Sequence, residues 1–213
     1  MRNLKALGLA MVVAAAFAAS IGVASAGATV LCKTNAGAEC GAEKYPVGTK
    51  LNTQLEIAQK FTLRSTSGPV EVECKESAMQ IVIENAGSAT TTVLGKVAAG
   101  SIVWGLCSAA TTTVSGGVIE FHWIPGTFNA TLTGKEISVK FVEPGTITCI
   151  YGFGAGMIHI GTFTGGLTPR IDLKAVAVKQ AGSSALCQTD EIMEGEYEVQ
   201  PNGEEKAMYA REK

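Results

Sequence analysis

Alternation of apolar and polar residues runs through much of this 213-residue sequence and indicates a chain built from strands. The run VEVECK over residues 70–75 places apolar side chains at every second position and charged ones between them. Met79, Ile81 and Ile83 repeat the pattern. Successive side chains of a strand point to opposite faces, so this period of two is typical of half-buried strands. Each of these runs is therefore predicted as a strand.

Further segments share the alternation and are predicted as strands over residues 61–66, 90–97, 101–107, 118–124, 127–132, 136–142, 146–151, 157–163, 171–179 and 194–200. Glycine and proline separate nearly all of them, as at Pro125-Gly126 and Gly165-Gly166. Many short strands with this punctuation predict an all-β fold, either an antiparallel β-sandwich or, as the alternative, a closed β-barrel. Residues 53–60 could form two helical turns, with Thr53 as the cap and Glu56 three residues later, but the segment is short and nothing in the sequence competes strongly with strands.

The first 26 residues have the layout of a secretory signal peptide. Arg2 and Lys5 precede an uncharged apolar run over residues 6–21, which ends at the small-residue triplet Ala24-Ser25-Ala26. The run is shorter than the roughly 20 residues that a spanning helix needs, so we expect cleavage before Gly27. No later segment is long and apolar enough for an integral membrane span. The expected location is extracellular, with the cell envelope or periplasm also open.

The predicted organisation is a signal peptide at 1–26, a cysteine-clipped N-terminal segment at 27–44 and a single all-β domain at 45–213. The formal net charge is −2, and no basic stripe points to a nucleic acid partner. Acidic residues cluster after Cys187. We predict that they form a solvated strand edge, since charges protect exposed edges from pairing with another chain. The cluster comprises Asp190, Glu191, Glu194, Glu196 and Glu198.

All six cysteines follow the leader, at Cys32, Cys40, Cys74, Cys107, Cys149 and Cys187. An even number of cysteines in an exported chain predicts disulfides, and the absence of a C-x-x-C motif argues against a zinc or redox site. The short separation favours a clip between Cys32 and Cys40. The other four could pair sequentially or in either of two crossing patterns. Loop closure gives about 3.8 kcal/mol for Cys74–Cys107 and about 4.5 kcal/mol for Cys74–Cys149, which does not discriminate.

Several short motifs follow one another in a distinctive order: a strand ending at Cys74, then Trp104-Gly-Leu-Cys107, Phe121-His-Trp-Ile124, Cys149-Ile-Tyr151, Cys187, Gly195-x-Tyr197-x-Val199-x-Pro201 and Met208-Tyr209-Ala210. This order resembles uncharacterised secreted proteins that high-GC Gram-positive soil bacteria encode in many copies. The resemblance covers roughly residues 61–210. It implies an all-β fold and sequential pairing, Cys74 with Cys107 and Cys149 with Cys187, but no activity or functional residue. The N-terminal cysteine pair departs from the pattern.

Catalytic chemistry has few candidate residues. A Ser-His-Asp triad would need His122 or His159 with Asp172 or Asp190, or with a glutamate, and no G-x-S-x-G motif presents the serine. Both histidines lie within predicted strands, so we interpret them as sheet-surface residues. The segment 152–156 fails the G-x-G-x-x-G spacing because Met157 holds the final glycine position, and a wide hairpin or bulge is predicted instead.

Two other interpretations concern single residue types. The sequence leaves open a pair of glutamates suited to glycosidase chemistry among Glu120, Glu136 and Glu143. Trp104 and Trp123 lie inside apolar strands and are predicted to pack in the core.

Taken together, the sequence predicts no catalytic residues, no cofactor and no metal ligands. The leading hypothesis is a secreted, non-enzymatic β-sandwich that acts as a binding or cell-envelope interaction module with an envelope or protein partner. One alternative is a carrier of a small apolar ligand, in a barrel with a cavity lined by Met79, Ile81, Ile83, Phe128 and Leu132. The other alternative is a hydrolase with a site that sequence does not reveal.

Overall fold

The computed structural model describes residues 28–36, 40–66, 70–143, 147–204 and 206–213. The predicted signal peptide and its cleavage site lie outside these ranges. A short 3-10 helix spans Gly41–Glu43. The described strands are β1 (Thr29–Cys32), β2 (Lys50–Leu55), β3 (Phe61–Ser65), β4 (Val70–Ser88), β5 (Thr91–Val97), β6 (Val103–Cys107), β7 (Ala110–Ser115), β8 (Gly117–Trp123), β9 (Ala130–Lys135), β10 (Ser138–Glu143), β11 (Ile147–Gly152), β12 (Ile158–Thr164), β13 (Arg170–Lys179), β14 (Asp190–Pro201) and β15 (Tyr209–Glu212). The all-β prediction is confirmed.

Eight antiparallel strands close into a barrel in the order β3-β4-β5-β8-β9-β12-β13-β14, and β14 pairs back with β3. The strand β2 lies between β4 and β14, as β3 does, but it pairs with later residues of both strands. Of the two architectures that the alternation predicts, the structure therefore has the closed barrel, with additional strands. Closure satisfies the backbone groups that an open sheet would leave at its edges.

Three long strands extend the wall beyond the ring. β4 has 19 residues, β13 has 10 and β14 has 12. Residues 74–78 of β4 pair with β6, and the end of β13 pairs with β11. β11 pairs in turn with β10, and β10 with β7. Along β4, the buried positions are even-numbered before Lys75 and odd-numbered after Glu76, and these two residues are both exposed. This change of phase is why the alternation of β4 resembles two separate strands in the sequence.

Residues 53–60 do not form the two helical turns that the sequence allows. Lys50–Leu55 is a strand that points Leu51 and Thr53 inward, and a turn with Ala58 at φ 67° follows it. The capping pattern that suggested a helix belongs to an alternating strand followed by a polar turn. Pairing on both sides stabilises this segment as part of the barrel wall.

Three disulfides are present: Cys32–Cys40, Cys74–Cys107 and Cys149–Cys187. The last two are the pairing that the resemblance implies, and the first is the clip that the short separation favours. Cys74 and Cys107 are direct cross-strand partners on β4 and β6. The bridge from Cys149 ties β11 to the segment that leads into β14. Three disulfides are consistent with an extracellular location.

The barrel interior is filled by apolar side chains. Phe121 and Phe163 pack edge to face with ring centroids 5.8 Å apart, and Phe61 packs against Trp104 at 5.7 Å. Trp104 and Trp123 pack against the core, as predicted. Rings in such offset and tilted contacts add about 0.5–1.5 kcal/mol per pair beyond the area they bury.

The N-terminal segment is joined to the C-terminus of the chain. The strand β1 pairs with β15, and all four of its residues are buried. The Trp123 backbone N–H donates to Thr29 Oγ1 at 2.9 Å. A Cβ on Gly87 would lie 1.7 Å from the Thr29 carbonyl oxygen, so this close approach requires glycine. The segment at 27–44 therefore contributes a strand to the same folded unit as the rest of the chain.

The acidic cluster does not form a strand edge. Alternation along β14 points Asp190, Glu194, Glu196 and Glu198 outward but buries Glu191 completely. β14 pairs on both sides, with β13 and with β2 or β3. The edge prediction was wrong because the strand lies inside a closed wall, where its outward charges face solvent without guarding a free edge.

Candidate functional site

The two histidines lie on one outer face of the barrel, on either side of Thr133. His122 on β8 and Thr133 on β9 approach within 2.9 Å, from Nε2 to Oγ1. Thr133 is the cross-strand partner of His159 on β12 and of Glu120 on β8. The carboxylate of Glu120 lies 3.4 Å from the same Nε2 of His122. The barrel thus gathers Glu120, His122, Thr133 and His159 in one polar cluster.

This cluster does not have the geometry of a catalytic triad. In a triad the acid and the nucleophile contact opposite nitrogens of the histidine ring, so that the proton can pass between them. Here Glu120 and Thr133 contact the same nitrogen of His122. Across the described part of the chain, no three histidine, cysteine or acidic side chains are grouped so as to hold a metal ion.

The other candidate acids lie elsewhere. Asp172 is outward on β13, and Asp190 accepts a hydrogen bond from Thr66 at 3.0 Å. Glu136 occupies the turn between β9 and β10 with φ 60°, while the side chain of Glu143 lies outside the described part of the structure. The structure therefore does not bring either aspartate to His122, whose nearest carboxylate belongs to its own strand.

The glycine-bearing segment 152–156 is neither a phosphate loop nor a hairpin. It connects β11 to β12, which pair with other strands rather than with each other. Phe153 inserts into the core, and its backbone N–H donates to the Ile137 carbonyl at 2.9 Å. The hairpin prediction was wrong because the sequence does not reveal which strands become neighbours.

Inside the barrel, a cavity of about 50 Å³ remains among apolar side chains. Its polar lining residues include Ser77, Ser138 and Tyr197, and the hydroxyl oxygens of Ser77 and Tyr197 lie 3.0 Å apart. Burial raises the pKa of the Tyr197 hydroxyl, and the hydrogen bond with Ser77 offsets part of that increase. Pockets for small-molecule ligands occupy about 300–1,000 Å³. This cavity falls well below that range.

The five residues that were predicted to line a carrier's cavity do not surround one common space. Ile81, Ile83 and Leu132 are packed in the core, and Met79 borders the small cavity. Phe128 lies outside, where the Arg211 guanidinium sits 4.9 Å from its ring centroid.

Larger concave surfaces lie on the outer face of the wall. One, of about 380 Å³, is bordered by charged residues of β13, β14 and the β2–β3 turn. Its charges are largely paired, because Glu194 contacts Lys174 at 3.0 Å and Arg64 at 3.2 Å. The hydrogen bonds from Arg64 and then Lys174 hold the pKa of Glu194 below its usual value.

The outer wall has two further concavities. They adjoin each other, because Gln54 and Ala78 line both. Their volumes are about 310 and 240 Å³. Together they form what we call the amide groove, which crosses β14, β2, β4 and β6. Its characteristic residues are Asn52, Gln54, Ala78, Gln80, Ser101, Val103, Gly105 and Gln200.

Strand register explains how the amides come together. Asn52 on β2 is the cross-strand partner of Gln200 on β14 and of Gln80 on β4, so three amides form one row across the wall. The Gln80 Nε2 donates to Asn52 Oδ1 at 2.8 Å. This row of amides was not predicted from the sequence. A signal was present in the N-x-Q spacing of Asn52 and Gln54, whose alternation with Leu51 and Thr53 marks an outward face.

No protein-family model matches the chain, and no curated protein or solved structure matches it either. The site therefore has to be interpreted from its own geometry. Among the helical residues that the structure describes, no helix has the length and apolar character needed to cross a membrane.

Proposed function

We propose that this protein is a secreted, non-enzymatic β-barrel that acts as a binding module at the cell envelope. The observation that carries the proposal is the contrast between the inside and the outside of the barrel. The interior leaves about 50 Å³, whereas concavities of about 240–380 Å³ lie on the outer wall. A partner would therefore be recognised on the outer surface.

The covalent and charge properties of the chain support an extracellular role. Three disulfides suit an oxidising compartment, and the leader has the layout of a signal peptide. The net charge of −2 does not favour binding to a nucleic acid, and the positive charges of Arg64 and Lys174 are paired with Glu194. An envelope component or an extracellular protein fits these properties better.

Sedimentation with the envelope tests the proposal. The mature protein, beginning at Gly27 and purified with its disulfides intact, is mixed at increasing concentration with the washed envelope fraction of the organism that encodes it. We expect saturable co-sedimentation of the folded protein and none of the reduced, denatured protein. Absence of saturable binding would contradict the proposal.

Two parallel assays separate the competing functions. A carrier would take up a fluorescent apolar probe saturably, and we expect no such uptake because the interior is filled. A serine hydrolase would be labelled covalently by a fluorophosphonate, and we expect no labelling because Glu120 and Thr133 share one nitrogen of His122. Uptake or labelling would replace the proposal with the corresponding alternative.

A further inference from the structure

We infer that the amide groove binds an extended neutral polysaccharide. This inference rests on the proposed function and names the partner that the outer face would recognise. It depends on the chemistry of the groove lining, on the balance of its charges and on the spacing of its amides.

The lining matches the hydroxyl groups of sugars. A primary amide offers two N–H donors and a carbonyl acceptor, so it can serve a hydroxyl that both donates and accepts. Asn52, Gln54, Gln80 and Gln200 supply four such amides within the two adjoining concavities. The bond from Gln80 Nε2 to Asn52 Oδ1 fixes two of them relative to each other and leaves their other donors and acceptors for a ligand.

The charge of the groove favours a neutral ligand. Its charged lining residues are Lys75 and Glu76, which carry opposite signs and lie together at one end. The Glu76 carboxylate lies against Gly105, since a Cβ at that glycine would meet its Oε2 at 2.4 Å. Because these two charges cancel, the lining offers neither a polyanion nor a polycation a net attraction, whereas an uncharged glycan needs none.

The shape of the groove suits a chain rather than a compact molecule. The groove crosses four strands, and neighbouring strands lie about 4.8 Å apart, so its lining extends about 14 Å across the wall. Ala78 and Gly105, with their small or absent side chains, lie along it. Val103 is 60% exposed at its border and offers an apolar surface to the C–H face of a sugar ring.

Affinity electrophoresis tests the inference with defined polymers. The mature protein is run in native gels that contain dextran, mannan or hydroxyethyl cellulose, with the polyanion alginate as the charged comparison. We expect at least one neutral polymer to retard the protein in a concentration-dependent way and alginate to have no such effect. Retardation by alginate alone would overturn the inference.

Variants connect the retardation to the groove. Replacing a neutral hydrogen-bonding group costs about fivefold in affinity, so Q54A and Q80A should each weaken retardation by about that factor. Ala78→Trp should abolish it by filling the groove. Gln188→Ala is the matched control, because this exposed glutamine lies outside the groove and should leave retardation unchanged. Thermal melts followed by circular dichroism confirm that each variant is folded.

The outcomes separate this inference from the proposed function. If the protein sediments with envelopes but no neutral polymer retards it, or if Q54A, Q80A and Gln188→Ala all retain the wild-type retardation, the groove is not the binding site and the inference fails alone. If neither envelopes nor polymers bind the protein, both fail. Loss of envelope binding in Ala78→Trp and Q54A, with Gln188→Ala unaffected, supports both together.

Discussion

Removal of the Cys74–Cys107 disulfide should destabilise the protein by an amount that can be calculated from its loop. The bridge closes a loop with a sequence separation of 33 residues, for which the chain-entropy relation gives about 3.8 kcal/mol. The 8-residue separation of Cys32–Cys40 gives about 2.5 kcal/mol. Cys74→Ala/Cys107→Ala should therefore reduce the free energy of unfolding more than Cys32→Ala/Cys40→Ala does.

The structure adds a local consequence to the global one. Among the described strands, β6 pairs with β4 alone, and the bridge joins the two strands at a direct cross-strand position. Trp104 lies on β6 and packs against Phe61. Without the disulfide, β6 should separate from the wall at lower denaturant concentration than the barrel unfolds, and the environment of Trp104 should change first.

Urea titrations followed by two signals measure both effects. Tryptophan fluorescence reports on Trp104 and Trp123, and circular dichroism reports on the sheet as a whole. For a domain of this size, about 3.8 kcal/mol corresponds to a decrease in melting temperature of about 8–15 °C. The reasoning is refuted if this variant loses less than about 1 kcal/mol, or if the Cys32/Cys40 variant is the less stable of the two.

Two further predictions concern polar contacts. Tyr197→Phe removes the hydroxyl that lies 3.0 Å from the buried Ser77 hydroxyl, and it should lower the free energy of unfolding by about 1–3 kcal/mol in urea titrations. The double variant with Ser77→Ala should lose clearly less than the sum of the two single variants. Because Arg64 and Lys174 lower the pKa of Glu194, its ion pairs contribute stability above the ordinary carboxyl pKa of 4.5 and lose that contribution as the pH falls below it. Glu194→Gln should therefore lower the urea midpoint by more at pH 7 than at pH 3, and an equal effect at both values would contradict this assignment.

Strand positions could be predicted from the sequence because alternation is a local property. The segment predicted at 171–179 is β13 at Arg170–Lys179, and the segment predicted at 61–66 is β3 at Phe61–Ser65. Strands without clear alternation were missed. β7 consists largely of threonines, and β1 is buried at all four positions, so neither shows a polar face that would mark the period of two.

Closure of the sheet could not be predicted in the same way. A sandwich and a barrel both require alternating strands, and the difference lies in which strands become neighbours. Here it depends on pairing between β13 and β14 over nine cross-strand positions, together with pairing of β14 to β3 and β2. The amide groove depends on that closure too, because Gln200 and Asn52 are far apart in sequence and become partners through β14 and β2.

The three disulfides hold elements that the barrel ring does not enclose. Cys107 secures β6, Cys187 secures the segment before β14 to β11, and the Cys32–Cys40 clip closes the N-terminal segment beyond β1. Strands of the ring have hydrogen-bonded partners on both sides, whereas these elements have fewer. Val103 and Gly105 border the amide groove from β6, so the bridge at Cys107 also fixes one wall of the groove. Reduction of the Cys74–Cys107 disulfide should therefore weaken binding at the amide groove before it unfolds the ring. The same disulfide thus supports both the stability of the protein and its proposed function.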